Sequence, residues 1–406
     1  MDDLFKRGSR RVLQDQNFRH VPHGSYEFDT KWPDRRAIFL GGTLDAPRFH
    51  PINTHALTIA APRTGKGAAQ IIPTLRYTWQ SNSIVVDPKG EAVRYAWDAI
   101  YAQGREVICL DPIPNDDGEY CSPALLRRSF NPLDLIRPDP AGWQDIKMLT
   151  DGLVIPSSAS SDPIWDTTAQ DIVAGLLALL VTFRDDLPEE ERNLTKIIEW
   201  LNDLDRPEDD PVRLGLIEAL DLCDAYGGLS RQAVSAIRDK SRTTKSFLQS
   251  ARAQLGWLTD PRMKEALSTS DFEFERFRDT PMSIFLVLPP AALEQHGRFL
   301  RLFVRCALAV MKRGTVADGQ SNNLPCLFVL DEFAKLGKMD VIAQDIGQMP
   351  GYGVHLWPIL QYLGQLHDMY GENTAEAFLG SDINCFFGLG NDLRTAEYVS
   401  RHIGPI

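Results

Sequence analysis

Eight short apolar runs, most of them continuous rather than alternating, restrict the fold of this chain more than any other feature. Strands covered by helices on both faces carry apolar residues at successive positions, whereas half-exposed strands alternate. Helical patterns at 67–79, 92–103 and 297–313 lie between several of the runs. This alternation predicts a three-layer α/β domain with a mainly parallel sheet. The predicted strands are 37–40, 56–60, 83–86, 107–110, 283–288, 327–330, 354–359 and 383–387.

The region from 139 to 281 has a different pattern, with long helical stretches and almost no strand signal. We therefore predict that an all-α domain interrupts the α/β domain. Residues 1–36 are charged and aperiodic, and we expect an extended arm there. The predicted helices of the interruption are 167–183, 194–204 and 230–255. The predicted organisation is an arm at 1–36, the first part of the α/β domain at 37–138, the inserted all-α domain at 139–281 and the second part of the α/β domain at 282–406.

Charge is segregated within the predicted insertion. Residues 185–224 hold 14 acidic and 4 basic side chains, whereas 231–252 hold six basic and one acidic. Two interpretations stay open: solvated helix faces, or a docking domain with an acidic and a basic lobe. The whole chain has a formal net charge of −12. Because non-specific DNA affinity comes from cations that meet phosphates, this excludes a general DNA-coating protein, and nucleic-acid contact must be local.

The six cysteines are scattered, with no CxxC pair and no histidine at metal-ligand spacing. They predict reduced core thiols of a cytoplasmic protein. The longest apolar stretch, 172–181, has about half of the ~20 residues that a membrane helix needs, so we predict a buried helix and no transmembrane segment. The N-terminus has no pattern of a signal peptide.

A candidate phosphate loop follows the second apolar run, where residues 58–67 read Thr-Ile-Ala-Ala-Pro-Arg-Thr-Gly-Lys-Gly. Such a loop needs inward-pointing backbone N–H groups, a helix behind it and a lysine that reaches the β and γ phosphates. Gly65 and Lys66 fit, although Ala60 replaces the first glycine of GxxxxGK[ST] and Gly67 replaces the residue whose hydroxyl meets Mg²⁺. From spacing alone, an ordinary strand-to-helix turn stays open. The predicted cofactor-binding residues are Ala61, Pro62, Arg63, Thr64, Gly65, Lys66, Gly67 and Ala68.

The second half of such a site is an apolar strand that ends in an acid able to hold Mg²⁺. Residues 326–330 are followed by Asp331 and Glu332. We predict that Asp331 is the metal ligand at the carboxyl edge of the sheet and that Glu332 polarises the attacking water. An apolar run that ends in two acids is a weak signal alone, but paired with Lys66 it is strong.

Two further groups follow strands at the same predicted edge. Gln361 ends the run at 354–360 and is a candidate for sensing the γ-phosphate or orienting the attacking water; an ordinary polar residue that closes a strand has equal weight. Asp87, Lys89 and Glu91 follow the run at 83–86. They could contact phosphate or a neighbouring subunit, but we favour a charged turn that caps a helix at Glu91.

With these residues in place, the sequence resembles the TraG-like coupling proteins of type IV secretion and conjugation systems, whose motor domains are similar to the FtsK and HerA DNA pumps. The glycine after Lys66 is also similar to this branch. The matching stretches are residues 60–67, 83–91, 130–134, 162–166, 282–290, 330–337, 351–353, Gln361 and residues 391–398.

The resemblance implies a RecA-like nucleotide-binding domain that is interrupted by the all-α domain, hydrolyses ATP with Mg²⁺ and assembles into a homo-hexameric ring. It implies delivery of single-stranded DNA with its relaxase, or of protein cargo, to a type IV secretion channel, in the bacterial cytoplasm or at the cytoplasmic face of the inner membrane. In such rings a neighbour's arginine completes the site. Some members carry an arginine before the Gly-Tyr-Gly turn at 351–353, but residues 347–350 of this chain contain none. Arg394 and Arg401 are the substitutes that we propose.

Two functions therefore stay open from the sequence. The first is an ATP-driven pump for DNA or nucleoprotein, which the set of Lys66, Asp331, Glu332 and Gln361 favours. The second is a docking receptor for protein cargo, in which nucleotide only sets conformation or assembly. The net charge of −12 and the missing arginine favour the second.

Overall fold

The computed structural model of the chain describes residues 36–43, 46–115, 117–155, 164–238, 242–314, 316–317, 320–388 and 392–404. The predicted N-terminal arm lies outside the described residues except for Arg36. The strands are β1 (Ala37–Thr43), β2 (Ala46–Pro51), β3 (Ala56–Ala60), β4 (Asn82–Val86), β5 (Glu106–Leu110), β6 (Met282–Leu286), β7 (Val316–Ala317), β8 (Gln320–Ser321), β9 (Cys326–Leu330), β10 (Val354–Leu360) and β11 (Ile383–Phe387).

Helices connect these strands and fill the long interval between β5 and β6. The first, α1, spans residues 66–78 and is wound as a π-helix over Gly67–Ile71 and Thr74–Thr78. The others are α2 (Glu91–Ala102), α3 (Gly142–Leu153), α4 (Ile164–Thr182), α5 (Thr195–Leu204), α6 (Pro211–Leu222), α7 (Ala225–Ile237), α8 (Arg242–Leu255), α9 (Pro261–Ala266), α10 (Leu293–Lys312), α11 (Asp340–Asp345), α12 (Leu363–Leu379) and α13 (Leu393–Ile403).

Seven of the strands form one parallel sheet in the order β11-β3-β10-β9-β4-β6-β5. Side chains alternate between two buried layers: Ile84 and Val86 of β4 join one apolar cluster, whereas Val85 joins the other. Both faces are therefore covered, which explains the continuous apolar runs in the sequence. The expected α/β fold with a mainly parallel sheet and an all-α insertion is confirmed.

Several boundaries differ from the sequence prediction. The hairpin of β1 and β2 was only half predicted, because β2 reads Ala-Pro-Arg-Phe-His-Pro and pairs with β1 alone, outside the main sheet. Strand β6 ends at Leu286 rather than residue 288, since two prolines follow at 289 and 290. The single helix predicted at 230–255 is wrong: α7 ends at Ile237 and α8 begins at Arg242, with 239–241 outside the described residues.

The helices between β5 and β6 pack around α4, whose side chains from Ile172 to Leu180 are buried. A close approach of α4 to α7 depends on Gly175, because a Cβ there would lie 2.4 Å from the Cβ of Ala233. Ser230 also donates a hydrogen bond to the Gly175 carbonyl at 2.9 Å. The resulting core is continuous with one face of the sheet.

The acidic and basic segments of this region lie against each other. Arg238 pairs with Asp221 at 2.8 Å and Arg252 with Asp205 at 2.9 Å, and Arg231 also pairs with Asp224. Part of the charge segregation is thus neutralised inside the helical region, which supports the interpretation as solvated helix faces for these residues. Within the described ranges, no helix has both the length and the apolar character needed to cross a membrane.

Candidate nucleotide site at the carboxyl edge of the sheet

Three neighbouring strands carry the residues that the sequence singled out. Strand β10 lies between β3 and β9, so the loop after β3, Gln361 after β10 and the two acids after β9 meet at one edge. Parallel strands end at the same edge, and open α/β sheets bind their ligands there. The strands that end before Gln361 and Asp331 are direct neighbours in the sheet.

The loop between β3 and α1 has the backbone form of an anion-binding turn. Arg63 and Gly65 both adopt positive φ, +64° and +83°, and α1 begins at residue 66 directly behind them. Alternation of right- and left-handed residues turns successive N–H groups to one side, and the helix N-terminus adds partial positive charge. The Thr64 hydroxyl donates to the Ala61 carbonyl at 2.8 Å and closes the turn.

The remaining residues of the predicted loop take their places around this turn. Pro62 and Arg63 are exposed, whereas Ala61, Thr64, Gly65, Lys66, Gly67 and Ala68 are half-buried. The loop leans on the end of β11, since the Ala61 N–H donates to the Phe387 carbonyl at 3.3 Å and a Cβ on Gly388 would lie 2.6 Å from the Thr64 side chain. The structure therefore brings the predicted loop together as one compact turn.

Lys66 joins the two halves of the site. Its Nζ lies 2.8 Å from Asp331 Oδ1 and 3.2 Å from Glu332 Oε1, although the residues lie far apart in the sequence. Burial lowers the pKa of Lys66, but the two carboxylates more than offset this, so the pKa is raised above its ordinary value. Burial raises the pKa of Asp331, and the charge of Lys66 lowers it only in part. The ammonium group of Lys66 and the two carboxylates thus stabilise one another's charged forms in a poorly solvated place.

Glu332 occupies an unusual backbone position. Its φ of +55° and ψ of +42° are left-handed, a conformation that costs a non-glycine residue about 1–2 kcal/mol. Its two carboxylate oxygens have different partners, because Oε1 faces Lys66 and Oε2 accepts a hydrogen bond from Gln361 Nε2 at 3.0 Å. Lys66, Asp331, Glu332 and Gln361 therefore form one connected polar cluster. Gln361 is fixed in turn, since its N–H donates to Gln365 Oε1 at 2.7 Å.

The neighbouring turn after β4 has the form that we favoured, a charged turn that caps a helix at Glu91. Glu91 is the first residue of α2, and Asp87 of the turn supplies the capping acceptor, since its Oδ2 accepts from the Val93 N–H at 2.8 Å. Asp87 is buried, and burial raises its pKa to about 7, while Asp331 and Glu91 add like charge. Lys89 is exposed. The sequence did not show which residue of the turn would be the capping acceptor.

The ligands available for a metal ion are few. Among the residues that the structure describes, no group of three or more His, Cys, Asp or Glu side chains is arranged to hold one. Mg²⁺ is commonly held by one or two carboxylates together with substrate phosphates and water, so Asp331 at a strand end fits this donor set. Gly67 leaves space as well, because a Cβ there would meet its nearest atom, Glu91 Oε2, at 3.6 Å.

The two candidate finger arginines lie on α13. Arg394 pairs with Glu372 Oε1 at 2.8 Å on the surface, and Arg401 is exposed. Neither forms an ion pair with the cluster of Lys66, Asp331 and Glu332. Their assignment as fingers stays a prediction about a neighbouring subunit.

The sheet order and the phosphate-loop turn define a P-loop NTPase fold of the RecA-like kind. The family model for conjugative DNA transfer by the type IV secretory system matches residues 18–406. The chain belongs to this family.

Curated relatives agree with this membership. The chain is 26% identical over 408 residues to a conjugal transfer protein TraG of Escherichia coli, which covers 92% of this chain and 59% of the relative. It is also 26% identical over 359 residues to a VirD4 protein of Rhizobium radiobacter, covering 86% of this chain and 48% of the relative. The chain therefore spans about half to three-fifths of the length of these proteins.

Solved structures share the fold at low sequence identity. The plasmid coupling protein TrwB in complex with the ATP analogue ADPNP matches with a TM-score of 0.56 and 15% identity, covering 81% of this chain and 68% of that one. TrwB with the GTP analogue GDPNP matches with a TM-score of 0.60 and 16% identity, covering 87% and 76%. At this identity the likeness shows the common architecture.

Proposed function

We propose that the chain binds and hydrolyses ATP with Mg²⁺ and uses this cycle to drive DNA, or a DNA–protein complex, towards a type IV secretion channel. The observation that carries the proposal is the cluster of Lys66, Asp331, Glu332 and Gln361 beside a phosphate-loop turn. The nucleotide-bound TrwB structures and the TraG and VirD4 relatives support it. The action at the cytoplasmic face of the inner membrane and the hexameric ring belong to the same proposal.

The roles follow from charge and position. Lys66 and the backbone N–H groups of residues 63–68 neutralise the β and γ phosphates, and Lys66 leaves Asp331 and Glu332 to do so. Asp331 is the carboxylate that would hold Mg²⁺, which supplies positive charge at the phosphates when bound. Gly67 provides no hydroxyl, so the protein contribution to the metal is this one carboxylate.

Glu332 has the role of general base. Its carboxylate accepts from Lys66 and Gln361, and once Lys66 has moved to a phosphate, Oε1 is available to take a proton from water. Gln361 keeps hold of Oε2 and so orients the carboxylate. Gln361 directly follows β10, which lies between the strand before the phosphate loop and the strand before the two acids. It is therefore placed to transmit a change in one half of the site to the other.

ATP turnover with and without single- and double-stranded DNA tests this proposal, with Lys66→Ala as the blank. We expect turnover that depends on Lys66 and rises with DNA. A protein that binds ATP but shows no turnover above the Lys66→Ala variant in any condition would contradict the hydrolytic function.

A docking receptor for basic protein cargo is the second candidate, and one surface favours it. Six exposed carboxylates of the acidic segment 185–224 form no ion pair with the described residues. A surface of this sign repels DNA and attracts basic segments. These carboxylates are Asp186, Glu189, Glu190, Glu208, Asp209 and Glu218.

Cargo capture by the whole chain separates the two candidates. If docking is the function, binding of a basic cargo protein falls when Glu208 and Asp209 are changed to lysine and is unaffected by Lys66→Ala. If the motor is the function, Lys66→Ala abolishes transfer-linked turnover whatever the charge of this surface.

A further inference from the structure

Helix α10 carries two buried arginines, Arg301 and Arg305, one turn apart on the same side. Only 4% of Arg301 and 8% of Arg305 is exposed. Burial, together with the charge of Arg305, lowers the pKa of Arg301 to about 10. Two like charges in a poorly solvated place destabilise the fold unless other groups compensate them.

Arg301 holds the segment that follows the candidate general base. Its Nη1 donates to the Leu336 carbonyl at 3.0 Å and to the Lys338 carbonyl at 2.6 Å. These carbonyls flank Gly337, whose φ is +68°. Among the described residues Arg301 forms no ion pair, and its guanidinium is compensated by hydrogen bonds to these two backbone carbonyls.

The held segment leads directly back to Glu332. After Glu332 the chain makes a short 3₁₀ turn, Phe333–Leu336, in which the Lys335 N–H donates to the Glu332 carbonyl at 2.7 Å. The left-handed backbone of Glu332 needs support from its surroundings, because such strain persists only where neighbours over-determine it. Arg301 supplies this support from the far end of the turn, and Phe333, stacked on Tyr370, supplies it from the middle.

Arg305 holds the helical region instead. Its Nη2 lies 2.9 Å from Asp151 Oδ2, and its Nε donates to the Met148 carbonyl at 3.4 Å, both on α3. Asp151 continues to α4, since Gln170 Nε2 lies 3.5 Å from Asp151 Oδ1. Adjacent turns of α10 therefore contact two different parts of the molecule: the segment 333–338 that follows Glu332, and the all-α region.

We propose that Arg301 is a positioning residue for Glu332, and that Arg305 makes this position depend on the all-α region through Asp151. The inference rests on the proposed ATPase function and deepens it with a route by which cargo on the helices sets turnover. A shift of α3 moves α10 through Arg305, and α10 moves the carbonyls that Arg301 holds.

Steady-state kinetics test the route because positioning acts on kcat rather than on ATP binding. We expect Arg301→Gln to lower kcat about tenfold to hundredfold while KM for ATP changes less than about twofold, since a misplaced catalytic group costs about that much. Arg301→Lys keeps a donor and recovers part of the loss. Arg305→Gln and Asp151→Asn each lower kcat, and the double variant loses no more than the single ones.

Arg313 provides the matched control. It ties the end of the same helix to α3 through Asp145 at 2.7 Å, but two turns beyond Arg305 and away from the catalytic segment. Arg313→Gln is expected to lower the melting temperature without the loss of kcat in the folded protein. If Arg313→Gln lowers kcat as much as Arg305→Gln, or if folded Arg301→Gln keeps its kcat, the proposal is wrong.

Amide hydrogen exchange gives a reading that does not need turnover. In Arg301→Gln and Arg305→Gln, exchange across residues 333–339 is expected to speed up relative to wild type and to Arg313→Gln. Unchanged exchange in both variants overturns the route even if the chain proves inactive. Absent wild-type turnover with faster exchange in both variants would contradict the ATPase function and leave the structural link supported.

Discussion

The Nζ of Lys66 lies 2.8 Å from Oδ1 of Asp331, and this ion pair joins the phosphate loop to the strand two places away in the sheet. Both side chains are mostly buried, so loss of either partner leaves a poorly solvated charge. In the proposed function, a nucleotide with Mg²⁺ would replace this pair by two others, Lys66 with phosphate and Asp331 with the metal. This exchange of ion-pair partners would link nucleotide binding to the rest of the site.

Lys66→Ala is expected to weaken ATP binding about tenfold or more, because a charge-assisted contact with phosphate is worth about 1.5–3 kcal/mol. Titration with a fluorescent ATP analogue measures this. Lys335→Ala is the control, since Lys335 is an exposed lysine in the segment after Glu332. Equal affinity of wild type and Lys66→Ala would remove Lys66 from the binding site.

Glu332→Gln is expected to leave ATP binding intact and to slow hydrolysis about a hundredfold or more, because the amide cannot accept the proton from water. The side chain keeps its shape, and Gln361 still has an oxygen to donate to. Single-turnover hydrolysis separates the chemical step from product release. A loss of binding as large as that of Lys66→Ala would show that the two roles are assigned wrongly.

Gly67→Ser is expected to fold normally and to lower the Mg²⁺ concentration needed for half-maximal nucleotide binding. A Cβ at this position meets Glu91 Oε2 at an ordinary 3.6 Å, so space exists for the side chain. The added hydroxyl is the ligand that most phosphate loops supply to the metal. Gly67→Ala is the control without a hydroxyl, and an equal response of both variants would mean that the hydroxyl does not reach the metal.

The free energy of unfolding is expected to fall as pH falls from about 6.5 to about 4, because the buried side chain of His355 resists protonation in the folded state. His355 lies near the start of β10, at the opposite end of that strand from Gln361. Burial lowers its pKa to about 4, and its Nδ1 is hydrogen-bonded to the Thr54 carbonyl at 2.8 Å. The unfolded chain, with a histidine pKa of about 6.5, binds more protons in this window, so unfolding is favoured as pH decreases. Between pH 7 and pH 5 this one group accounts for about 2 kcal/mol of the free energy of unfolding.

Denaturant titration of wild type and His355→Gln at both pH values measures this term by difference. The glutamine variant is less stable at each pH, but its loss between them is expected to be about 2 kcal/mol smaller. The same pH dependence in both proteins would contradict the assignment to His355. Burial also lowers the pKa of neighbouring His55, but both proteins contain His55, so its contribution cancels in the comparison.

The sequence was most informative where a residue's role depends on its own strand. Lys66, Asp331 and Gln361 could be placed at one edge because parallel strands end together, and the continuous apolar runs predicted which strands are buried. Neighbour relations were less visible. The contact of Gln361 with Glu332, rather than with Asp331 as its nearest partner, depends on the left-handed turn at Glu332, which no residue pattern predicts.

The burial of two arginines on α10 could not be predicted from the sequence. Arg301 and Arg305 read as the polar side of an amphipathic helix, yet both are buried because the segment after Glu332 and helix α3 cover them. In both cases burial is decided by distant segments that pack on the residue, so local pattern gives no sign of it.

ATP turnover of the whole chain, measured with and without single- and double-stranded DNA and compared with Lys66→Ala, tests the central claim most directly. The account predicts turnover in wild type, an increase with DNA and none above background in Lys66→Ala. Tight ATP binding with no turnover in any condition would contradict it and would favour a receptor whose conformation nucleotide sets.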